Sequence, residues 1–167
     1  MCSGSHAQTA GSCSLPGVEE KDRQESCELL LGFGKLRRVA EKCPNVIPVV
    51  VQDWQTKEVL ILAYANERAL QETLEKGVAV FWSTSRNKLW LKGETSGCVL
   101  KIKEVRVNCE QNSLLYLVEK PAGIGVCHAE DENGGFRESC FYRRIADWAN
   151  GANGKLAFVQ KWMSDGN

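Results

Sequence analysis

No stretch of this 167-residue chain stays apolar for the roughly 20 residues that a membrane-spanning helix needs. Neither sign of charge is in excess: Lys plus Arg number 21 and Asp plus Glu number 21, for a formal net charge of zero. A general nucleic-acid binder usually carries a basic excess, so that class is set aside. A small phosphorylated ligand needs only a local basic cluster and stays open. The opening residues MCSGSHAQTAGSCSLPG have neither the basic start nor the apolar core of a secretory signal. A cytoplasmic location is the simplest expectation. Histidine is scarce, at 2, and none of the 8 cysteines falls in a CxxC pair. Thiols stay reduced in the cytoplasm, so these cysteines read as metal ligands, catalytic groups or core filler before disulfides. There is no internal repeat.

What is present is ordinary for a globular protein: 43% hydrophobic and 25% charged residues, in a length that suits one domain with a sizeable core. Residues 1–17, small and polar, read as a flexible head. Residues 18–44 read as a helical extension, with Leu29, Leu30, Phe33, Leu36 and Val39 near helical spacing and a break around Gly32 or Gly34. The body spans 45–145. VIPVVVQD and EVLILAYA predict two strands, and NERALQETLEKG predicts a helix with Asn66 as its N-cap and Gly77 after its end. VAVFWSTS predicts a strand, CVLKIKEVRV and SLLYLVEK an antiparallel pair, and CFYRRI a last short strand. Residues 146–167 read as a peripheral tail, helical at its end. About six strands against one packed helix place the chain in a mainly β (α+β) class.

Two constellations carry chemistry. Cys109 lies in the polar turn VNCEQN, where an apolar side chain has little to bury against, and Cys127 and Cys140 flank a Gly-rich acidic loop. Three convergent thiols can hold Zn²⁺ and leave a fourth position for water. His128, adjacent to Cys127, can take or relay a proton because its unperturbed pKa is about 6.5. The competing reading is buried structural cysteines with a surface histidine. The second constellation, FWSTSRNKLWLKGETSG, gathers Arg86, Lys88 and Lys92 with Trp82 and Trp90. Cations with backbone amides near Gly93 and Gly97 suit phosphate, and the indoles offer flat faces for a base. Its competing reading is a hairpin with a solvated turn and two core tryptophans.

FWSTSRNKLWLKGETSG, VRVNCEQNSLLYLVE, GVCH and SCFYR, in that order, resemble the phosphoribosyl-AMP cyclohydrolases of histidine biosynthesis, from about residue 47 to 143. The resemblance implies a homodimer with a folded-over mixed sheet, or pseudobarrel, and active sites at the subunit interface. It implies zinc held by Cys109 of one subunit and by Cys127 and Cys140 of the other. Zinc-bound hydroxide would attack C6 and open the adenine ring between N1 and C6, with His128 as general base. Arg86, Lys92 and the stretch Gly93, Glu94, Thr95, Ser96 and Gly97 would hold phosphate and ribose of this small phosphorylated nucleotide, with Trp90 beside the base. Asp53 also matches a family position and would help to shape the pocket.

The chain departs from the family at three places. Where family members carry three magnesium-binding aspartates around the first zinc cysteine, it has Asn108, Glu110 and Asn112. Mg²⁺ is a hard cation that favours charged oxygens, so this is a weakened magnesium site. Cys98 stands where the family has histidine, and the 12 residues between Cys127 and Cys140 exceed the family spacing. These changes keep two alternatives in view. One is a paralogue hydrolysing a different ring-bearing nucleotide. The other is a zinc-stabilised binding module without turnover, its fourth metal position closed by Cys98 or His128.

Overall fold

The computed structural model describes residues 26–29, 31–147 and 154–159. The head 1–17, residues 18–25, Leu30 and the last residues of the tail lie outside the described residues. Of the segment 18–44 read as helical, the described residues form a helix only at α1 (Lys35–Lys42), which Gly34 precedes without a side-chain cap; Leu29 and Phe33 lie outside it, and Glu28 forms a β-bridge with Lys155. Only Val39 of this helix is buried, while Leu36 and Phe33 are exposed.

The body opens with β1 (Ile47–Asp53) and β2 (Val59–Ala65), which pair antiparallel with a bulge at Val51/Gln52. Val49, Val51 and Asp53 are buried in alternation along β1, the period of a strand with one face on the core. The expected helix is α2 (Glu67–Lys76). The Asn66 side chain accepts the Ala69 N–H at 2.9 Å, and Gly77 closes the other end in the left-handed region at φ 65°. Such an N-cap is worth about 1 kcal/mol. Ala69 and Thr73 form its buried face against the sheet, and the Thr73 hydroxyl accepts the Val80 N–H at 3.0 Å.

Next come β3 (Val80–Ser83) and β4 (Lys88–Leu91), a hairpin that forms its own two-stranded sheet. β5 (Lys101–Val107) and β6 (Leu114–Glu119) pair antiparallel, as their alternation predicts. The four-stranded sheet has the order β2-β1-β6-β5, with β1 and β6 parallel. A parallel pair needs a long crossover, and here α2 and the β3–β4 hairpin lie within it. Phe81, Leu60, Leu100, Tyr116, Val49 and Val118 fill the core, and the Phe81 ring stacks on Tyr116 at 6.0 Å. No helix among the described residues is long and apolar enough to cross a membrane.

The structure differs from the strand count read in the sequence. The last short strand is β7 (Arg143–Ile145), so Cys140, Phe141 and Tyr142 precede it as a turn. It pairs antiparallel with an eighth strand, β8 (Leu156–Phe158), inside the segment read as a peripheral tail. Three residues carry too little periodicity to announce a strand. The segment 26–29 closes over β8: Leu156 donates its N–H to the Cys27 carbonyl at 2.7 Å, and Leu29 donates to the Gly154 carbonyl.

Candidate active site

The loop between Cys127 and Cys140 folds back on itself. Cys127 N–H donates to the Arg137 carbonyl at 2.9 Å, Arg137 N–H to the Ala129 carbonyl at 3.0 Å, and Asp131 N–H to the Gly135 carbonyl at 2.7 Å. Residues 131–135 are therefore the tip of a narrow ribbon, and its base brings the two cysteines together. Cys140 is pinned to β2, its N–H donating to the Leu60 carbonyl at 2.8 Å, and the buried Ser139 hydroxyl donates to the Val59 carbonyl at 2.7 Å.

The two thiols lie close enough for each to shift the other's pKa. The Cys140 thiol facing Cys127 lowers the Cys127 pKa to about 6, against the opposing effect of burial, and the Ala129 N–H, 3.4 Å from Cys127 Sγ, adds to the lowering. Cys140 moves the other way, raised by that same interaction, by burial and by the Cys127 charge. Two thiols so placed could serve as ligands to a soft metal. His128 is exposed beside Cys127, and its charge also favours the Cys127 thiolate. Lys92 is buried, its Nζ 5.9 Å from the centre of the Trp90 ring, and its charge reaches both Cys140 and Cys98. Cys98 is fully buried, and that burial raises its pKa.

Cys109 does not join this pair. It is exposed in the turn between β5 and β6. Strand register explains the separation: the turn precedes Leu114, opposite Val49, whereas Cys140 docks at Leu60, level with Val51 and Gln52 on β1. The turn thus belongs to the β6–β5 side of the sheet, and the thiol pair docks on the β2 edge. Among the described residues, no three His, Cys, Asp or Glu side chains gather as a metal-holding group.

Around Cys109, the three positions read as a weakened magnesium site bond to one another. Asn108 Nδ2 donates to Asn112 Oδ1 at 2.8 Å, and Asn112 Nδ2 donates to Glu110 Oε2 at 2.7 Å. Asn108 Oδ1 accepts the N–H groups of Asn112 and Ser113, each at 2.9 Å. Amide hydrogens occupy the oxygens that a cation would need, so these residues do not fit Mg²⁺.

The KGETSG stretch forms a tight loop after β4. Gly97 N–H donates to the Gly93 carbonyl at 2.8 Å, and Glu94 N–H to the Leu91 carbonyl at 3.3 Å. Gly93 has φ 89°, and a Cβ there would lie 2.1 Å from the Cys98 carbonyl carbon, so only glycine fits. Glu94, Thr95 and Ser96 are exposed, with the Ser96 hydroxyl 3.5 Å from the Cys98 N–H. Trp90 is half-buried, its ring 5.7 Å from Phe81. Arg86 is exposed in the β3–β4 turn, its N–H donating to the Ser83 hydroxyl at 3.3 Å. Asp53 closes the β1–β2 turn, its Oδ1 accepting the N–H groups of Gln55 and Thr56 at 2.9 and 2.8 Å.

A cavity of about 480 Å³ opens beside His128, bounded by Cys27, Arg137, Tyr142, Arg143 and Phe158. The sequence reading passed over these residues. The succession of Tyr142 and Arg143 in FYRR was a usable signal. Phe158 gave none, because only the pairing of β7 with β8 brings it there.

The family profile for phosphoribosyl-AMP cyclohydrolase matches residues 61–142. The chain is similar to the phosphoribosyl-AMP cyclohydrolase of Archaeoglobus fulgidus, 53% identical over 101 residues that make up 60% of this chain and 86% of that one. It is 52% identical over 116 residues to the phosphoribosyl-AMP cyclohydrolase of Methanosarcina mazei, covering 70% of this chain and 87% of the relative. It is also 47% identical over 101 residues to the histidine biosynthesis bifunctional protein HisIE of Aquifex aeolicus, covering 60% of this chain and 46% of that protein.

Proposed function

The chain belongs to the phosphoribosyl-AMP cyclohydrolase family, a family of enzymes, and from that membership we propose that it hydrolyses phosphoribosyl-AMP in histidine biosynthesis, opening the adenine ring between N1 and C6. The observation that carries the reading is the meeting of Cys127 and Cys140 at the base of the ribbon, with His128 beside them at the cavity.

The donor set suits zinc. Cys127 and Cys140 would hold it from one subunit, and Cys109 of a second copy would complete a tris-thiolate site in a homodimer. The exposure of Cys109 in the β5–β6 turn supports that division, because the three thiols do not gather among the described residues of one copy. Zinc, when bound, supplies Lewis acidity and lowers the pKa of water to about 7. A compartment that keeps thiols reduced, such as the cytoplasm, suits these ligands.

The chain's own residues do the rest. His128 takes a proton from the attacking water, a general-base role that histidine fills near neutral pH. Lys92 contributes a buried positive charge beside the thiol pair, in keeping with an anionic substrate. The Gly93–Gly97 loop and Arg86 hold phosphate and ribose, and Trp90 offers a ring to the base. The magnesium positions are satisfied by their own amides, so no step is assigned to that ion.

The self-bonded Asn108–Glu110–Asn112 turn and the ribbon tip favour a second reading, a paralogue of the same chemistry acting on another ring-bearing nucleotide. Turnover of phosphoribosyl-AMP by the purified zinc-loaded protein, followed by ultraviolet absorbance with and without added Mg²⁺, separates the two. Turnover independent of Mg²⁺ is expected. No turnover from an intact zinc-loaded dimer would leave the second reading.

A further inference from the structure

The cavity beside His128 is walled partly by residues outside the matched segment 61–142. Cys27 comes from the leading segment and Phe158 from β8, while Arg137 comes from the lengthened ribbon. Its volume of about 480 Å³ suits a small-molecule subsite, which typically occupies about 300–1,000 Å³.

Arg137 packs against a stacked pair of aromatic rings. Its guanidinium carbon lies 4.5 Å from the centre of the Tyr142 ring and 4.8 Å from that of Phe158, and the two rings stack on each other at 6.2 Å and 20°. A guanidinium held over ring faces keeps the N–H groups of its edge for in-plane acceptors, the geometry that binds a phosphate with two parallel hydrogen bonds. Arg143 stands on the same Tyr142 ring at 5.1 Å and donates from Nη1 to the Ser26 carbonyl at 2.8 Å, which ties the leading segment to the cavity wall. Glu130 is also on this wall, and Asp131 and Glu132 line the adjoining depression with Arg137 and Phe158. Asp131, which Arg137 also influences, has its Oδ1 engaged by the Asn133 and Gly135 N–H groups at 2.8 and 3.0 Å.

We propose that this cavity is a phosphomonoester subsite in which Arg137, packed against the stacked rings of Tyr142 and Phe158, binds a phosphate of the nucleotide substrate. The inference rests on the reading of the protein as a phosphoribosyl-AMP hydrolase. That substrate carries a phosphate on the added ribosyl group and another on the AMP moiety, so one phosphate remains for this subsite when the Gly93–Gly97 loop takes the other. Arg137 is then a specificity-determining residue contributed by the longer ribbon, and β8 is the strand that orients it.

The test uses the full-length zinc-loaded protein with Arg137→Gln, Arg137→Lys and Phe158→Leu. For phosphoribosyl-AMP, Arg137→Gln raises KM by about tenfold, the loss expected for a charge-assisted hydrogen bond, with kcat within about twofold of wild type. Arg137→Lys restores part of that loss, and Phe158→Leu gives a smaller rise. An unchanged KM in Arg137→Gln at an unchanged melting temperature overturns the subsite.

Binding is measured separately by calorimetry with ribose 5-phosphate and with AMP, which requires no turnover. Loss of binding of either probe in Arg137→Gln supports the subsite, even for a wild type that leaves phosphoribosyl-AMP untouched and so contradicts the hydrolase reading. Equal binding by wild type and variant, or binding by neither, overturns it.

Discussion

Cys140 donates its backbone N–H to the Leu60 carbonyl at 2.8 Å, and that bond fixes one end of the long loop to the second strand. Ser139 repeats the attachment one residue earlier, its hydroxyl 2.7 Å from the Val59 carbonyl. Ser139→Ala removes a buried hydrogen bond and is expected to cost about 1–2 kcal/mol. Urea denaturation measures the loss, and an unchanged midpoint would mean that Ser139 does not anchor the thiol.

Gly125 begins the ribbon where two backbones meet. A Cβ at this position would lie 1.9 Å from the Phe136 carbonyl oxygen. Gly125→Ala must therefore push the two arms apart, with a destabilisation of about 1–3 kcal/mol and a fall in zinc content as Cys127 moves from Cys140. Thermal unfolding and metal analysis follow the two effects, and a wild-type melting curve would contradict the close approach.

In the proposed homodimer, zinc shared between subunits would link metal content to assembly. Cys109→Ser is expected to lower bound zinc and the dimer fraction together, and chelation of the wild type should reproduce both effects. Metal analysis alongside size-exclusion chromatography checks this. Full zinc retention in Cys109→Ser would remove that thiol from the site.

His128 is exposed, so its replacement should leave packing intact. His128→Ala is expected to retain zinc and lose at least about a hundredfold in turnover, the contribution typical of a positioned general base. Turnover at the wild-type rate would exclude it from proton transfer.

The turn around Cys109 offers a reversal. Asn108→Asp together with Asn112→Asp replaces amide donors with carboxylates that repel one another beside Glu110. Added Mg²⁺ should raise the melting temperature of this double variant and leave that of the wild type unchanged. Equal shifts in both would mean that the native turn already accepts the ion.

The local elements were written in the sequence because their signals are local. Asn66 and Gly77 bound a helix by satisfying its own end groups, and alternation along residues 101–107 and 114–119 fixes which faces meet. The motifs from KGETSG to SCFYR carried the family, and the asparagines at 108 and 112 announced the altered turn before its hydrogen bonds were known. Three features needed the tertiary structure. The ribbon that closes the gap between Cys127 and Cys140 depends on backbone bonds across residues that have no periodicity. The strand order β2-β1-β6-β5 puts the Cys109 turn on the β6–β5 side and Cys140 on the β2 edge, through pairing between strands distant in sequence. The cavity around Arg137 exists because a three-residue strand brings Phe158 beside Tyr142. Contacts between segments far apart in the chain are set by global packing, which no short window of residues encodes.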